Sequence, residues 1–307
     1  MQGHVSILSV SPEAAAMIAS GGRISTMDGT ADEIYANSLS AGQEKNEKLI
    51  GKVLSSGHTS VLEHCYVNLS FENVSVLAEQ FLIEFRLASF TVKSRRYVDF
   101  SKAGYVSPVF TDNVQMAIFE RTVESLFGTY DVLEAAGVPK EDARFVLPYC
   151  FCSNFFCSMN ARELVHVMNE LAYGRGSRIP ELRALGESLF AQCEQQIPFL
   201  AVRKPEAYRQ PDAFCLRQVQ LLTSKAPVTV LAAPQDAEGL ICGAYQLARG
   251  NVPQPLTKPE QTALLKALLA QPRKRELEQA SYTLLFGGLS LAALTHLTRH
   301  RMQALCA

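Results

Sequence analysis

Two stretches of the chain share one pattern, and this internal repeat constrains the fold more than any other feature. The segment EHCYVNLSFENVSVLAEQFLIEFR, Glu63 to Arg86, aligns without a gap with EQASYTLLFGGLSLAALTHLTRHR, Glu278 to Arg301. Each reads as a strand, a turn with a serine and then a helix. Upstream, VSILSVSPEA at residues 5–14 resembles VTVLAAPQDA at residues 228–237. Two aligned blocks in the same order favour a duplication over chance similarity.

The repeat predicts the domain organisation. We expect a first copy over residues 1–205, a linker over 206–225 and the N-terminal part of a second copy over 226–307. The second copy stops soon after Arg301, in the middle of the unit. Two readings stay open: the chain is a fragment, or the second copy has decayed to its N-terminal part.

Composition excludes several classes of protein. Of the 307 residues, 48% are hydrophobic and 19% charged, which indicates a globular chain with ample core. The net charge of −1 argues against a nucleic-acid or membrane-surface role, and no apolar run is long enough to span a bilayer. Eight cysteines without CxxC spacing indicate reduced core residues in a cytoplasmic protein, and no metal site is expected.

Periodicity predicts an α+β fold of mixed strands and long helices, without strict βαβ alternation. Asn160 with Glu163 three residues later indicates a helix start. We expect strands over 5–9, 63–72 and 90–100, and helices over 41–55, 76–87, 113–137, 160–172 and 180–196.

The stretch EFRLASFTVKSRRY, residues 84–97, concentrates arginine and serine. The arginine fork matches phosphate and carboxylate oxygens, and serine adds a small donor beside it. The segment therefore predicts an anion site, with a solvated helix end and edge strand as the alternative.

Several stretches now stand in one order. They are SGHTSVLEH (56–64), EFR (84–86), ASFTVKSRRY (88–97), ARFVLPYC (143–150) and NARELVH (160–166). This order resembles the flavin-dependent thymidylate synthase family. The match covers most of residues 1–200, and the second copy carries the family's Arg-His-Arg motif intact at residues 299–301.

The resemblance implies the family's fold and chemistry. It implies reductive methylation of dUMP to dTMP, with FAD as hydride carrier and with NADPH and methylenetetrahydrofolate as co-substrates. It also implies a homo-oligomer, either a tetramer or a dimer of duplicated chains. The alternative is a catalytically degenerate homologue that binds a pyrimidine nucleotide or only supports oligomerisation.

The resemblance also assigns roles to residues. His58 and Arg144 would be catalytic, with Arg144 reaching the nucleotide from another subunit. The nucleotide would be bound by Ser94, Arg95, Arg96 and Arg144. The flavin would be bound by Arg86, Asn160, Arg162, His166, Arg299, His300 and Arg301.

Each assignment has a structural alternative. Asn160 is also a good helix cap, His166 a helix residue facing the core, and His58 a loop histidine. Arg144 also fits a solvated arginine near a helix end, and Arg95 an exposed side chain.

The chain departs from the family pattern at three informative positions. Glu84 and Phe85 replace the first two residues of Arg-His-Arg in the first copy. Leu171 stands where the family has an arginine that contacts the pyrimidine, and Arg175 or Arg178 could substitute for it. One hypothesis covers these losses: the second copy supplies the flavin clamp and the first copy the nucleotide site.

Overall fold

The computed structural model describes residues 3–209, 227–298 and 303. The chain divides into two compact units. The first comprises Met1–Cys215 and Leu294–Ala307, and the second comprises Leu216–Ala293. The domain boundaries drawn from the repeat, at 205 and 226, stay a prediction.

The first unit contains one four-stranded antiparallel sheet in the order β1-β2-β4-β3. Its strands are β1 (His4–Val10), β2 (Tyr66–Ser75), β3 (Ala88–Val92) and β4 (Cys152–Asn160). The helices around the sheet make this an α+β fold, which confirms the predicted class.

The helices of the first unit follow in chain order. They are α1 (Ala14–Arg23), α2 (Ala31–Ala41), α3 (Gln43–Ser55), α4 (Val76–Ile83), α5 (Asn113–Ala135), α6 (Lys140–Ala143), α7 (Ala161–Ala172), α8 (Pro180–Gln196) and α9 (Pro205–Tyr208). Short 3₁₀ helices span Thr59–His64, Arg144–Val146, Arg175–Arg178 and Pro198–Leu200.

The core lies between the two central strands and the helices that cover them. Phe71 on β2 stacks on Phe155 of β4 with ring centroids 4.7 Å apart, and both rings are buried. Leu164 and Met168 of α7 join the same core. A second apolar cluster, with Tyr130 fully buried, holds α5 to the rest of the unit.

The sequence predicted most of these helices but not every boundary. The helix expected over 76–87 ends at Ile83, because the chain turns there into β3. The strand expected over 63–72 begins at Tyr66, since the preceding residues form a 3₁₀ helix. Strand β4 and helix α2 were not predicted.

The second unit contains two strands and three helices in its described part. They are β5 (Val228–Ala232), α10 (Ala237–Leu247), α11 (Lys258–Leu269), β6 (Thr283–Phe286) and α12 (Leu291–Leu297), with a 3₁₀ helix at Arg275–Gln279 before β6. The boundary between the units falls within α12. This order of elements is that of β1, α1, α3, β2 and α4 in the first unit, with α2 omitted.

The strand pairing is also the same in the two units. Val5 lies opposite Phe71 in the first, and Val228 lies opposite Phe286 in the second. Both pairs of strands are antiparallel, and in each the register shifts beyond the residue two positions after this pair, which is Ile7 in the first unit and Val230 in the second. A shared irregularity at one position is a more specific likeness than a shared pair of strands.

The helix that follows is capped in the same way. In the first unit the Ser75 hydroxyl accepts a hydrogen bond from the Ala78 amide at 3.0 Å. In the second unit the Ser290 hydroxyl accepts one from the Ala293 amide at 3.1 Å. The aligned serines of the repeat therefore perform the same local task.

No helix among the described residues is both long and apolar enough to cross a bilayer. Nor do the described residues contain a group of three or more metal-ligating acidic, histidine or cysteine side chains.

Candidate functional site

A large pocket lies in the first unit between α3, α7 and the segment 198–208. Its volume is about 910 Å³, within the usual range for a small-molecule or cofactor site. We call it the α3–α7 pocket. It is lined by Glu47, Gly51, Leu54, Ser55, Thr59, Leu62, Leu87, Arg162, Glu163, Val165, His166, Pro198, Phe199, Val202, Arg203, Lys204 and Tyr208.

Helix α7 brings two of the predicted flavin residues into this pocket. The Asn160 side chain caps the helix by accepting a hydrogen bond from the Glu163 amide at 2.9 Å. Arg162 and His166 are four residues apart, so they lie on one helix face, and both line the pocket. Asn160 itself is buried and acts as the cap that the sequence indicated.

His166 is held by two aromatic residues. Its Nδ1 is 2.8 Å from the Tyr208 hydroxyl, and its ring meets Phe85 edge-on with centroids 5.4 Å apart. Burial raises the pKa of Tyr208, so its hydroxyl keeps its proton at neutral pH. The ring of His166 is therefore fixed in orientation at the pocket wall.

Residues 202–204 of the pocket wall are held to α7 by the buried side-chain amide of Asn169. Asn169 accepts a hydrogen bond from the Lys204 amide at 2.7 Å and donates one to the Val202 carbonyl at 2.8 Å. Arg203 bonds to Glu187 and Tyr173, and the bond to Glu187 raises the pKa of Arg203 above its usual value. Residues 202–204 are thus fixed by hydrogen bonds to α7 and α8.

The charges of the pocket suit an anionic ligand of mixed character. Arg162, Arg203 and Lys204 bring three cations to its wall against two carboxylates, Glu47 and Glu163. Apolar residues from α3 and the 198–202 stretch line the rest. Arg162 also pairs with Glu63 at 2.5 Å, but both side chains are about half exposed, so this pair is weak and exchangeable. Volume, cations and an apolar lining together fit a flavin nucleotide.

Two other predicted residues lie at the edge of this pocket. His58 is exposed and directly precedes Thr59, which lines the pocket. Arg86 is exposed and directly precedes Leu87, which also lines it.

The predicted nucleotide residues form a second group around Glu141. Arg96 Nε is 3.7 Å from the Glu141 carboxylate, and Arg144 Nε donates to the Glu141 carbonyl at 2.8 Å. Arg144 also lies 2.9 Å from Nε2 of His296, a residue of the first unit. The Ser94 hydroxyl accepts a hydrogen bond from the Arg96 amide at 3.2 Å. Ser94, Arg96 and Arg144 therefore lie in one neighbourhood.

The expectation that Arg95 is exposed is wrong. Its side chain is buried and forms an ion pair with Glu79 of α4, which is fully buried. The guanidinium also lies over the Phe151 ring, 5.3 Å from its centroid. Because this side chain points into the protein, any effect of Arg95 on a nucleotide is exerted through its neighbours.

Helix α4 and the turn after it connect the two groups. Glu79 on α4 contacts Arg95, and Phe85 just after α4 contacts His166. Only six positions of the chain separate Glu79 from Phe85, and the four from Glu79 to Ile83 are helical and rise by about 6 Å. The two candidate sites are therefore parts of one region of the first unit.

The departures from the family pattern have structural explanations. Glu84 is paired with Arg175 at 2.8 Å, so its charge is compensated. Arg175 also lies over the Phe81 ring at 5.2 Å. Phe85 is buried against His166. Leu171 is fully buried in the core and is not part of the α3–α7 pocket lining.

None of the described cysteines lines the α3–α7 pocket. The six cysteines described are free, and five of them are buried. Burial raises the pKa of Cys152 to about 11 and that of Cys193 to about 12, so both remain thiols at neutral pH. The predicted flavin residues Arg299, His300 and Arg301 lie outside the described residues.

Sequence reasoning missed several residues of these sites. Tyr208, Arg203 and Lys204 belong to a region that the sequence assigned to the linker or its approach, and no motif marks them. Glu79 was missed because an acid within an apolar helix carries no signal of its partner 16 residues later. Phe85 was noted only as a departure.

Comparison with known proteins gives a consistent result. The family model described as "Thymidylate synthase complementing protein" matches residues 6–199. A flavin-dependent thymidylate synthase of Nitratidesulfovibrio vulgaris is 31% identical over 256 residues, covering 80% of this chain and 96% of that protein. A flavin-dependent thymidylate synthase of Geobacter sulfurreducens is 34% identical over 166 residues, covering 53% and 70%.

A solved structure has a similar fold. It is the UMP/dUMP methylase PolB of Streptomyces cacaoi, bound with 5-Br dUMP. The TM-score is 0.54 at 21% identity, with 65% of this chain and 93% of that chain covered.

Proposed function

Because the chain belongs to the flavin-dependent thymidylate synthase family, we propose that it is an enzyme that methylates dUMP to dTMP, using a bound FAD. Methylenetetrahydrofolate supplies the carbon in this proposal, and NADPH supplies the hydride. The observation that carries the proposal is the α3–α7 pocket, which two family-motif residues, Arg162 and His166, line together.

The residues have distinct tasks in this mechanism. A bound flavin carries hydride between NADPH and the one-carbon unit. Arg162 and Lys204 would bind its anionic groups, and His166, held by Tyr208, would pack against it. The apolar part of the pocket excludes water from the reacting atoms. His58, which directly precedes the pocket residue Thr59, would act near the reacting carbon in this proposal.

In this proposal two residues of the group around Glu141, Ser94 and Arg96, bind the nucleotide of their own subunit. Its phosphate accepts hydrogen bonds from Ser94 and Arg96, and Arg144 contacts the nucleotide of a neighbouring subunit. The protein then works as a homo-oligomer in the cytoplasm, where its buried free cysteines stay reduced.

We also propose that residues 226–307 are a partial second copy of the first unit. The shared element order, strand register, register shift and serine cap support this. In this proposal Arg299, His300 and Arg301 of the second copy supply the flavin clamp that Glu84 and Phe85 no longer provide.

The second candidate function is a nucleotide-binding homologue without catalysis. Phe85 and Leu171 favour it, because both replace polar ligand-binding residues of the family with buried apolar side chains. The two functions differ in whether FAD binds and in whether dUMP perturbs it.

The first test is a titration with FAD followed by visible absorption. We expect the flavin band to shift on binding and to shift again when dUMP is added. Arg162→Ala is expected to weaken FAD binding by about 10-fold or more, because it removes charge-assisted hydrogen bonds worth about 1.5–3 kcal/mol. Arg183→Ala, an exposed arginine on α8, is the matched control and should leave the affinity unchanged.

Two outcomes of the titration, and one of the same titration on variants of the second copy, decide between the proposals. No FAD uptake with retained dUMP binding would select the non-catalytic homologue. Neither ligand binding would leave a role in oligomerisation only. If Arg299→Ala and Arg301→Ala leave FAD binding intact, the second copy supplies no clamp.

The nucleotide group can be tested separately by calorimetry. Arg96→Ala is expected to raise the Kd for dUMP by about 10- to 100-fold, since it removes a charged donor to the phosphate. FAD affinity should not change. Lys102→Ala is the control, because this exposed cation lies outside the group. An equal effect of both substitutions would mean that only net charge matters and that Arg96 makes no specific contact.

A further inference from the structure

The turn at residues 94–97 alternates between the interior and the surface. Arg95 is 6% exposed, whereas Arg96 is exposed and Ser94 is half-buried. The Arg95 side chain occupies the inner side of the turn. Its two neighbours are therefore turned toward the outer side, where the nucleotide group lies.

The partner of Arg95 is itself fixed from three directions. The Glu79 carboxylate accepts the Arg95 guanidinium, the Ser153 hydroxyl at 2.5 Å and the Gln80 amide at 2.9 Å. Glu79 belongs to α4 and Ser153 to β4. The guanidinium also packs over the Phe151 ring. The turn is thereby anchored to a helix and to a central strand of the sheet.

The backbone of the turn is closed on both sides of this anchor. The Lys93 amide donates to the Asn154 carbonyl at 3.0 Å, and the Val98 amide donates to the Ser94 carbonyl at 3.1 Å. The Arg96 amide donates to the Ser94 hydroxyl. The main chain of 93–98 is thus shaped by hydrogen bonds, and the Arg95 side chain joins its inner side to Glu79 of α4.

We propose that Arg95 and Glu79 are a buried positioning pair that orients Ser94 and Arg96 toward the phosphate of a bound nucleotide. Arg95 then touches no ligand, although its neighbours on both sides do. This inference rests on the proposed nucleotide function of Ser94 and Arg96.

A buried ion pair is suited to this task because it tolerates few arrangements. Both charges lose hydration on burial, so their mutual contact must be kept. A planar guanidinium that faces one carboxylate accepts a narrow range of directions. An apolar side chain in the same space would fill volume without fixing the direction of the turn.

The test compares the wild-type protein with the double variant Arg95→Met/Glu79→Leu. Removing both charges together avoids an unpaired buried charge, so the variant is expected to fold. We expect its Kd for dUMP to rise by 10-fold or more, with its Kd for FAD within 2-fold of wild type. The Kd for deoxyuridine, which lacks the phosphate, should change by less than 2-fold. If the pair only stabilised the fold, the double variant would change the Kd for dUMP and the Kd for deoxyuridine by similar factors.

The outcomes are distinct. An unchanged Kd for dUMP in a folded double variant would overturn the positioning role and leave the proposed function standing. Failure of the wild-type protein to bind dUMP would overturn both. If the double variant does not fold, Arg95→Lys keeps the charge but loses the planar fork. It should then raise the Kd for dUMP at least 3-fold without affecting FAD, and an unchanged Kd would overturn the proposal.

Discussion

Replacing Leu171 with arginine is expected to destabilise the first unit by about 3–5 kcal/mol or more, because it places an unpaired charge in the core. The position is where the resemblance expects a nucleotide-binding arginine, yet the Leu171 side chain is fully buried. It also lies at the tight crossing of α7 and α8, where a Cβ added to Gly186 would be 2.8 Å from the Leu171 Cβ. An arginine has neither space nor a partner there. Urea denaturation followed by circular dichroism measures the loss.

Leu171→Met is the matched control. It conserves volume and polarity, so it should cost less than about 1.5 kcal/mol. If Leu171→Arg were as stable as wild type and bound dUMP more tightly, this position would face the nucleotide and its placement in the core would be wrong.

One of the two arginines suggested as substitutes at Leu171 is engaged at the end of α4. Arg175 follows α7 in the chain and pairs with Glu84, the acid that replaces an arginine of the family motif. Of the two arginines suggested as substitutes for the one at Leu171, Arg175 is already engaged by Glu84 and Phe81.

How well each element could be predicted depends on how cleanly its apolar and polar residues separate between the buried and the exposed face. Helix α7 has a clear apolar stripe and an asparagine cap, so its bounds were found closely. Strand β4 buries one face, but an apolar Phe156 stands on the exposed face and a polar Ser153 on the buried one, so its sequence CSNFFCSMN shows no clean alternation. Helix α2 buries only Ile34 and Ser38, so its pattern gives little signal.

Residues of the candidate sites were predictable where they are close in sequence and not where they meet only in the fold. Arg162 and His166 are four residues apart on a helix, and local spacing was enough to place them on one face. Tyr208 contacts His166 only because the chain returns to the pocket after α8. The spacing of neighbouring residues in the sequence cannot predict a contact of this kind. Arg95 was misjudged for a related reason: arginine is seldom buried without a partner, and Glu79 becomes its partner only in the folded sheet and helix.

Ile18→Ala and Ile241→Ala, a matched pair at aligned positions of α1 and α10, are each expected to destabilise their own unit by about 2–5 kcal/mol. Both side chains are buried, Ile18 in the first unit and Ile241 in the second. If the second unit is a partial copy of the first, its core is built from the same positions. Hydrogen exchange read by mass spectrometry should then show faster exchange in β5 and β6 for Ile241→Ala, and in β1 and β2 for Ile18→Ala.

The exposed neighbour Leu240 provides the control for this pair, since Leu240→Ala on the outer face of α10 should change stability by no more than about 0.5 kcal/mol. If Ile241→Ala were equally silent, the aligned position would carry no packing in the second unit. The correspondence of strands and caps would then not extend to the core, and the proposed duplication would lose its energetic basis. If the two cores are independent, a cavity speeds exchange only in the unit that contains it. Faster exchange in both units after either substitution would therefore mean that the two units unfold together.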